Sequence, residues 1–223
     1  MTRTETIRTF TDHLKSQRPF SFVKIGDDCV FAIRGQEGTN AEGHQYGDKI
    51  SKHMKEAYEY LKDKPSVYVA EWNENPKWGD GRLPFFDALL LHEDAYLTPD
   101  LKEFYRVLRD DTRPKYYFAR DRMVEAARKF KMNFIAVPYP NSYDYVEAVI
   151  GKVKEIAKPG AVILFSCGML AKIMIYECYK ICKDMTVLDM GSAFDPLFVG
   201  STRSADEQQH ERVKSYYADI LQN

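Results

Sequence analysis

The sequence predicts a single α/β domain with a mainly parallel sheet flanked by helices. The second half of the chain holds short, continuously apolar runs, as strands buried on both faces have, and amphipathic helices separate the last four runs. With 223 residues, the chain is long enough to bury a sizeable core. The predicted strands are Val67–Ala70, Tyr116–Ala119, Phe134–Val137, Ala161–Phe165 and Thr186–Leu188. This alternation of strands and helices is typical of Rossmann-like folds.

Apolar spacing predicts the remaining elements. A helix over 3–16 ends before Pro19, and the alternating segment Phe20–Ile25 is a strand. Gly26–Asp28 is predicted to be a turn leading to a second strand, Cys29–Arg34. Residues 35–47 contain four glycines and are expected to form a loop. A helical insertion at Phe85–Leu108 is expected to cover one sheet edge. The other predicted helices are Asp48–Leu61, Arg122–Phe130, Tyr143–Ala157, Met169–Ile181 and Ala205–Leu221. We divide the domain into an acidic-turn segment, 1–64, and a nucleotide-binding βαβ part, 65–223.

Composition excludes several classes of protein. The net charge is −1 and no basic run is present, which argues against nucleic-acid binding. No apolar stretch approaches the roughly 20 residues that span a bilayer, and the polar N-terminus lacks a signal sequence, so a cytoplasmic protein is expected. The four cysteines form no CxxC pair and the five histidines show no zinc-ligand spacing.

Three loops that follow predicted strands are candidate ligand sites, because parallel sheets bind ligands beyond the carboxyl ends of their strands. Ser166–Gly168 precedes a helix and suits a phosphate, although a simple tight turn explains it equally well. Asn141 and Ser142 either cap the following helix or recognise a nucleobase. The third loop, Asp189–Pro196, follows the last strand and contains Ser192.

The acidic turn Asp27-Asp28 is a fourth candidate. Adjacent carboxylates suit Mg²⁺ or Mn²⁺ bridging to phosphates, because these cations prefer oxygen ligands. Aspartates are also common in ordinary hairpin turns, so the spacing alone leaves both interpretations open.

Taken together, these segments resemble the GT-D glycosyltransferases. Members open with a Phe-Ser block that ends in Gly-Asp-Gly-Glu, and this chain has Phe20-Ser21 followed by Gly26-Asp27-Asp28-Cys29 and then Ile33-Arg34-Gly35. An Asn-(small)-Tyr segment, a strand with a Gly turn and an Asp-(Ile)-Gly loop match Asn141–Tyr143, Leu164–Ala171 and Leu188–Gly191. The resemblance spans most of the chain in the same order.

The resemblance implies transfer of a sugar, a hexose or deoxyhexose, from a nucleotide diphosphate donor to a hydroxyl of an acceptor glycan, with a UDP-linked donor expected. It makes Asp27 and Asp28 the candidate catalytic residues, preferred over Asp189, Asp195 and His44. The residues expected to bind the nucleotide sugar are Lys24, Gly26, Arg34, Asn141, Ser142, Ser166, Cys167, Gly168, Asp189 and Ser192, with Lys172 as a further cation for the diphosphate. The 35–47 loop and the Trp72–Trp78 segment are expected either to close over the donor or to stack on acceptor sugars.

The chain departs from the family pattern at the segment to which the resemblance assigns metal binding. Cys29 stands at the family's Glu position and Lys24 at its Arg position. A thiol is a poor ligand for hard cations, so Asp27 is the residue most suited to a metal, and dependence on Mn²⁺ or Mg²⁺ is expected to be weak. Two other functions stay open: a catalytically silent nucleotide-sugar-binding or assembly module, and a Rossmann-like hydrolase, for which no GxSxG elbow is present.

Overall fold

Six strands form one sheet in which every neighbouring pair is parallel, in the order β4-β1-β8-β7-β5-β6. The computed structural model describes residues 3–40, 43–71, 96–199 and 207–222. The strands of the sheet are β1 (Ser21–Ile25), β4 (Val67–Glu71), β5 (Lys115–Ala119), β6 (Asn133–Ala136), β7 (Val162–Ser166) and β8 (Thr186–Asp189). The mainly parallel α/β fold and its five later strands are therefore confirmed, and β1, from the acidic-turn segment, lies between β4 and β8.

Helices cover both faces of the sheet. The helices are α1 (Arg3–Lys15), α2 (Asp27–Ile33), α3 (Asp48–Leu61), α4 (Pro99–Asp110), α5 (Val124–Lys129), α6 (Val146–Ile156), α7 (Leu170–Ile181), α8 (Asp195–Phe198), α9 (Glu207–Tyr216) and α10 (Ala218–Leu221). Short 3-10 turns, Asp121–Met123 and Ser142–Tyr145, precede α5 and α6. A small antiparallel hairpin of β2 (Gly38–Thr39) and β3 (Gln45–Tyr46) forms within the predicted 35–47 loop. Among the described helices, none has the length and apolarity to cross a membrane.

Alternation along each strand divides the core into two layers. In β7, Val162 and Leu164 pack with α1, α4 and α5 on one face, whereas Ile163 and Phe165 pack with α3, α6 and α7 on the other. Residues at successive positions of a strand point to opposite faces, so a strand covered on both sides must be apolar throughout. The continuous apolar runs in the sequence have this cause.

The predicted second strand, Cys29–Arg34, is wrong, because this segment forms α2. The buried side chains Cys29 and Ala32 are three residues apart, which is helical spacing. A strand directly after a tight turn would have to run antiparallel to β1, whereas β1 pairs in parallel with β4 and needs a crossover connection. The helices α2 and α3 supply that crossover.

The helical insertion predicted to cover a sheet edge has a different position in the structure. Its described part, α4, buries Leu101, Phe104 and Leu108 in the same cluster as α1 and the strand residue Tyr117, so it covers a face of the sheet. The Phe85–Leu91 part of that prediction and the Trp72–Trp78 segment lie outside the described residues.

Lys115, at the start of β5, is expected to make stability depend on pH. Its side chain is 3% exposed and donates to the carbonyls of Leu108 and Arg109, and burial lowers its pKa to about 8 against the opposing attraction of Asp111. The unfolded chain keeps this proton up to pH ~10.4, so between these values the unfolded state binds more protons and stability rises with pH. From pH 8 to 10 the free energy of unfolding should rise by about 2 kcal/mol more in wild type than in Lys115→Met. Urea unfolding at both pH values measures this difference, and equal slopes in the two proteins would contradict it.

Candidate active site

A polar cleft of about 130 Å³ lies where the carboxyl ends of β1, β5, β7 and β8 meet. In α/β sheets this edge is where ligands bind. The cleft is lined by Lys24, Gly26, Asp27, Asp28, Asn40, Arg120, Arg122, Met123, Ser166, Gly168, Lys172, Gly191, Ser192 and Asp195. Four cationic side chains thus face three carboxylates across a small space.

Beneath the cleft, Lys172 and Asp189 form a buried ion pair. The Nζ of Lys172 lies 2.9 Å from Oδ2 of Asp189, and the two side chains are 7% and 1% exposed. Asp189 also accepts hydrogen bonds from the backbone amides of Lys24 and Gly191. Burial opposes the charge on Lys172, but the carboxylates of Asp189 and Asp28 outweigh it, so the pKa of Lys172 is raised. The pair with Asp189 therefore favours the charged form of Lys172.

Asp27 and Asp28 form the wall of the cleft at the start of α2. Asp28 is held on both sides, because its Oδ1 accepts from the amide of Cys29 at 2.8 Å and its Oδ2 from Nδ2 of Asn40 at 2.8 Å. Asp27 is exposed, and its Oδ1 accepts from the amide of Asp28. Asp28 is thus the fixed carboxylate of the pair, and Asp27 is the accessible one.

The β2–β3 hairpin contacts three segments of the site, at Asp28, Asn141 and Gly168. Besides holding Asp28, Asn40 accepts from the amide of His44, and the amide of Gln45 donates to Oδ1 of Asn141. His44 is buried against Gly168 and packs edge-on against Tyr139, with ring centroids 5.1 Å apart. The sequence prediction of an open loop at 35–47 contained no sign of these contacts.

The loop after β5 contributes two arginines to the cleft. Arg122 pairs with Asp195 at 3.0 Å, and the guanidinium of Arg120 stacks 3.7 Å from the ring centre of Tyr139. Neither arginine was among the residues expected from the sequence. They follow a buried strand directly, so the strand-end rule would have identified them if it had been applied to β5 as well.

The structure brings seven of the expected binding or catalytic residues to the cleft: Lys24, Gly26, Asp27, Asp28, Ser166, Gly168 and Ser192. Arg34 caps the end of α2, is exposed and does not line it. The other four have structural contacts instead: Asn141 accepts from Gln45, Ser142 donates to the carbonyl of Cys167, whose side chain is buried, and Asp189 holds Lys172. Of the further candidates, Lys172 and Asp195 line the cleft, and His44 packs behind Gly168.

The residues present do not form a fitting site for a divalent metal ion. Cys29 is fully buried, and burial raises the pKa of its thiol well above the ordinary value. The oxygens of Asp28 and Asp189 already accept hydrogen bonds or an ion pair. Within the described ranges, no group of three His, Cys, Asp or Glu side chains is arranged to hold a metal.

Gly168 is required by the backbone of the loop after β7. Its φ is +62°, and an added Cβ would lie 3.0 Å from Nε2 of His44. Gly160 has a similar φ of +80° with nothing within 4 Å of such a Cβ. We expect Gly160→Ala to cost about 1–2 kcal/mol of stability through backbone strain, and Gly168→Ala to cost about 1 kcal/mol or more beyond that. Thermal or urea unfolding measures the two losses, and equal losses would show that His44 moves aside freely.

A parallel α/β sheet flanked by helices, with a charged cleft at its strand ends, defines a Rossmann-like fold. No protein-family profile matches the sequence, and no curated protein matches it. Two solved structures share the fold. One is a selenomethionine-substituted structure of domain of unknown function 1792, with a TM-score of 0.56 and 14% identity over 84% of this chain and 76% of that chain.

The other solved structure describes the same domain as having a distinct glycosyltransferase fold. It matches with a TM-score of 0.59 and 13% identity, and the match covers 97% of this chain and 92% of that chain. The chain therefore has the glycosyltransferase fold of domain of unknown function 1792, the fold expected from the resemblance to the GT-D glycosyltransferases.

Proposed function

We propose that this chain is a glycosyltransferase of the hexosyltransferase type, which moves a hexose or deoxyhexose from a UDP-linked donor to a hydroxyl of an acceptor glycan. The observation that carries the proposal is the cleft itself, in which two adjacent carboxylates face four cationic side chains at the carboxyl ends of parallel strands. The shared glycosyltransferase fold supports the reaction class.

The cationic side chains suit the leaving group of this reaction. As the glycosidic bond breaks, negative charge grows on the departing diphosphate, and fixed positive groups that face it stabilise the transition state. Lys24 in β1, Arg120 just after β5 and Lys172 in the first turn of α7 line the cleft. Tyr139, beside Arg120, is 42% exposed and offers a ring next to the cleft, which supports recognition of the nucleobase by the loop after β6.

Asp27 suits the other half of the reaction. An acceptor hydroxyl must lose its proton as it attacks the sugar, and a carboxylate within hydrogen-bond reach serves as the base. Asp27 is the exposed carboxylate of the acidic pair, whereas both oxygens of Asp28 are engaged by Cys29 and Asn40. We therefore assign the base to Asp27 and a positioning role to Asp28.

Ligand screening tests the donor class. Unfolding midpoints are measured with UDP, GDP, dTDP and CMP and with the matching nucleotide sugars, each with and without Mn²⁺. A nucleotide present at 100 times its dissociation constant should stabilise the protein by about 2.7 kcal/mol. We expect UDP and a UDP-sugar to give the largest shifts. No shift with any nucleotide would contradict the proposed function.

A catalytically silent nucleotide-sugar-binding module is the second candidate. It is favoured by one observation: Cys29 replaces an acid of the family motif and is fully buried. Release of UDP from the best-binding donor distinguishes the two functions, because an enzyme cleaves that donor by transfer or by slow hydrolysis. Tight binding without any release of UDP would favour the silent module.

A further inference from the structure

Lys172 is a buried lysine whose ammonium group faces the cleft. The residue is 5% exposed and lies in the first turn of α7. Its Nζ contacts Oδ2 of Asp189 at 2.9 Å and donates to the carbonyl of Gly168 at 3.1 Å. An ammonium group has three N–H donors. Within the described part of the chain two of them are engaged, so the third is available to a ligand in the cleft.

This ammonium lies among the carboxylates that a metal ion would need. Asp189 pairs with it directly, and the carboxylate of Asp28 also attracts its charge. A divalent cation bound to these oxygens would be repelled by a positive charge a few ångströms away in a partly buried site, where screening is weak. Asp195, on the opposite side, is paired with Arg122.

We infer that Lys172 binds the diphosphate of the donor in place of a divalent cation, and that this cleft takes a nucleoside diphosphate without metal. The inference rests on the proposed function and adds a metal-free binding mode to it. Asp189 is then a positioning residue, which holds the ammonium at the floor of the cleft. Lys24 and Arg120, which line the same cleft, supply further charge to the phosphates.

Calorimetry with two probes, inorganic pyrophosphate and UDP, tests the need for metal. Each probe is titrated into the full chain in EDTA and again with Mn²⁺ or Mg²⁺ in excess. We expect both probes to bind in EDTA, with dissociation constants within about threefold of those with metal. Binding that occurs only with metal overturns the inference and leaves the proposed function standing. If neither probe binds under either condition, the proposed function itself fails.

Variants then test the role of Lys172. Lys172→Met alone leaves Asp189 buried without its partner, so Lys172→Met is combined with Asp189→Asn, and circular dichroism confirms folding. The double variant should bind pyrophosphate about tenfold or more weakly in EDTA, the loss expected for one charge-assisted hydrogen bond. Asp189→Asn alone keeps the ammonium but removes the carboxylate that positions it, so it should weaken pyrophosphate binding less than the double variant does.

Lys180→Met is the matched control. Lys180 lies further along the same helix, is 42% exposed and pairs with Glu177 on the surface. It should bind both probes as wild type does. If the double variant also binds as wild type does, or if Lys180→Met weakens binding as much, the assignment of Lys172 is wrong.

Discussion

Asp27→Asn is expected to lower turnover by about two to four orders of magnitude, the range for loss of a general base. The substitution keeps the size and shape of the side chain and removes its charge and basicity. Asp27 is exposed and accepts one hydrogen bond, from the neighbouring amide, so Asn should be tolerated by the fold. Release of UDP from the best-binding donor, with binding of UDP measured in parallel, gives the result: turnover should fall while affinity changes little.

Asp121→Asn is the control for this experiment. Asp121 is an exposed aspartate that lies between Arg120 and Arg122, at the start of a 3-10 turn, and it does not line the cleft. It should keep the turnover of wild type. Asp28→Asn is less informative, because an amide at this position would place an N–H group against Nδ2 of Asn40. Turnover of Asp27→Asn within about threefold of wild type would exclude Asp27 as the base.

The sheet could be predicted well from the sequence because a strand that is buried on both faces is apolar at every position. Val162–Phe165 is buried throughout, and no surface helix of ordinary amphipathicity has such a run. The error at Cys29–Arg34 arose because Cys, Val, Phe and Ile favour strands locally. The deciding constraint is tertiary: the strand after β1 pairs with it in parallel, so the chain between them must cross over, and the helical spacing of Cys29 and Ala32 fits that need.

The site was predicted mainly from residues that lie at or just after the ends of strands. The ends of β1, β7 and β8 supplied Asp27, Gly168 and Ser192, all of which line the cleft. Contacts between segments that are distant in the chain could not be predicted from the sequence. Asn40 reaches Asp28 from a hairpin, and His44 meets Gly168 across more than a hundred residues of chain. No local pattern records such contacts, since they exist only once the sheet has formed.

Asp189→Ala is expected to lower the free energy of unfolding by about 3–5 kcal/mol, because it leaves the charge of Lys172 buried without its partner. The two groups lie 2.9 Å apart and are almost completely buried. Asp189 also satisfies the amides of Lys24 and Gly191, which lose an acceptor in the variant. Urea unfolding with and without the substitution measures the loss. Lys172→Met combined with Asp189→Asn should recover at least half of it, because no unpaired charge remains and one acceptor for the amides is retained.

An exposed ion pair with the same N–O distance shows how much of the expected loss of stability is due to burial. Lys152 and Glu155 also lie 2.9 Å apart, but their side chains are 58% and 62% exposed. Glu155→Ala should therefore cost less than about 1 kcal/mol, since water replaces the lost partner. If Asp189→Ala costs no more than Glu155→Ala, then water already reaches Lys172 in the cleft and screens its charge. A screened ammonium would no longer exclude a divalent cation from the neighbouring carboxylates, so this one stability measurement also bears on how the diphosphate is bound.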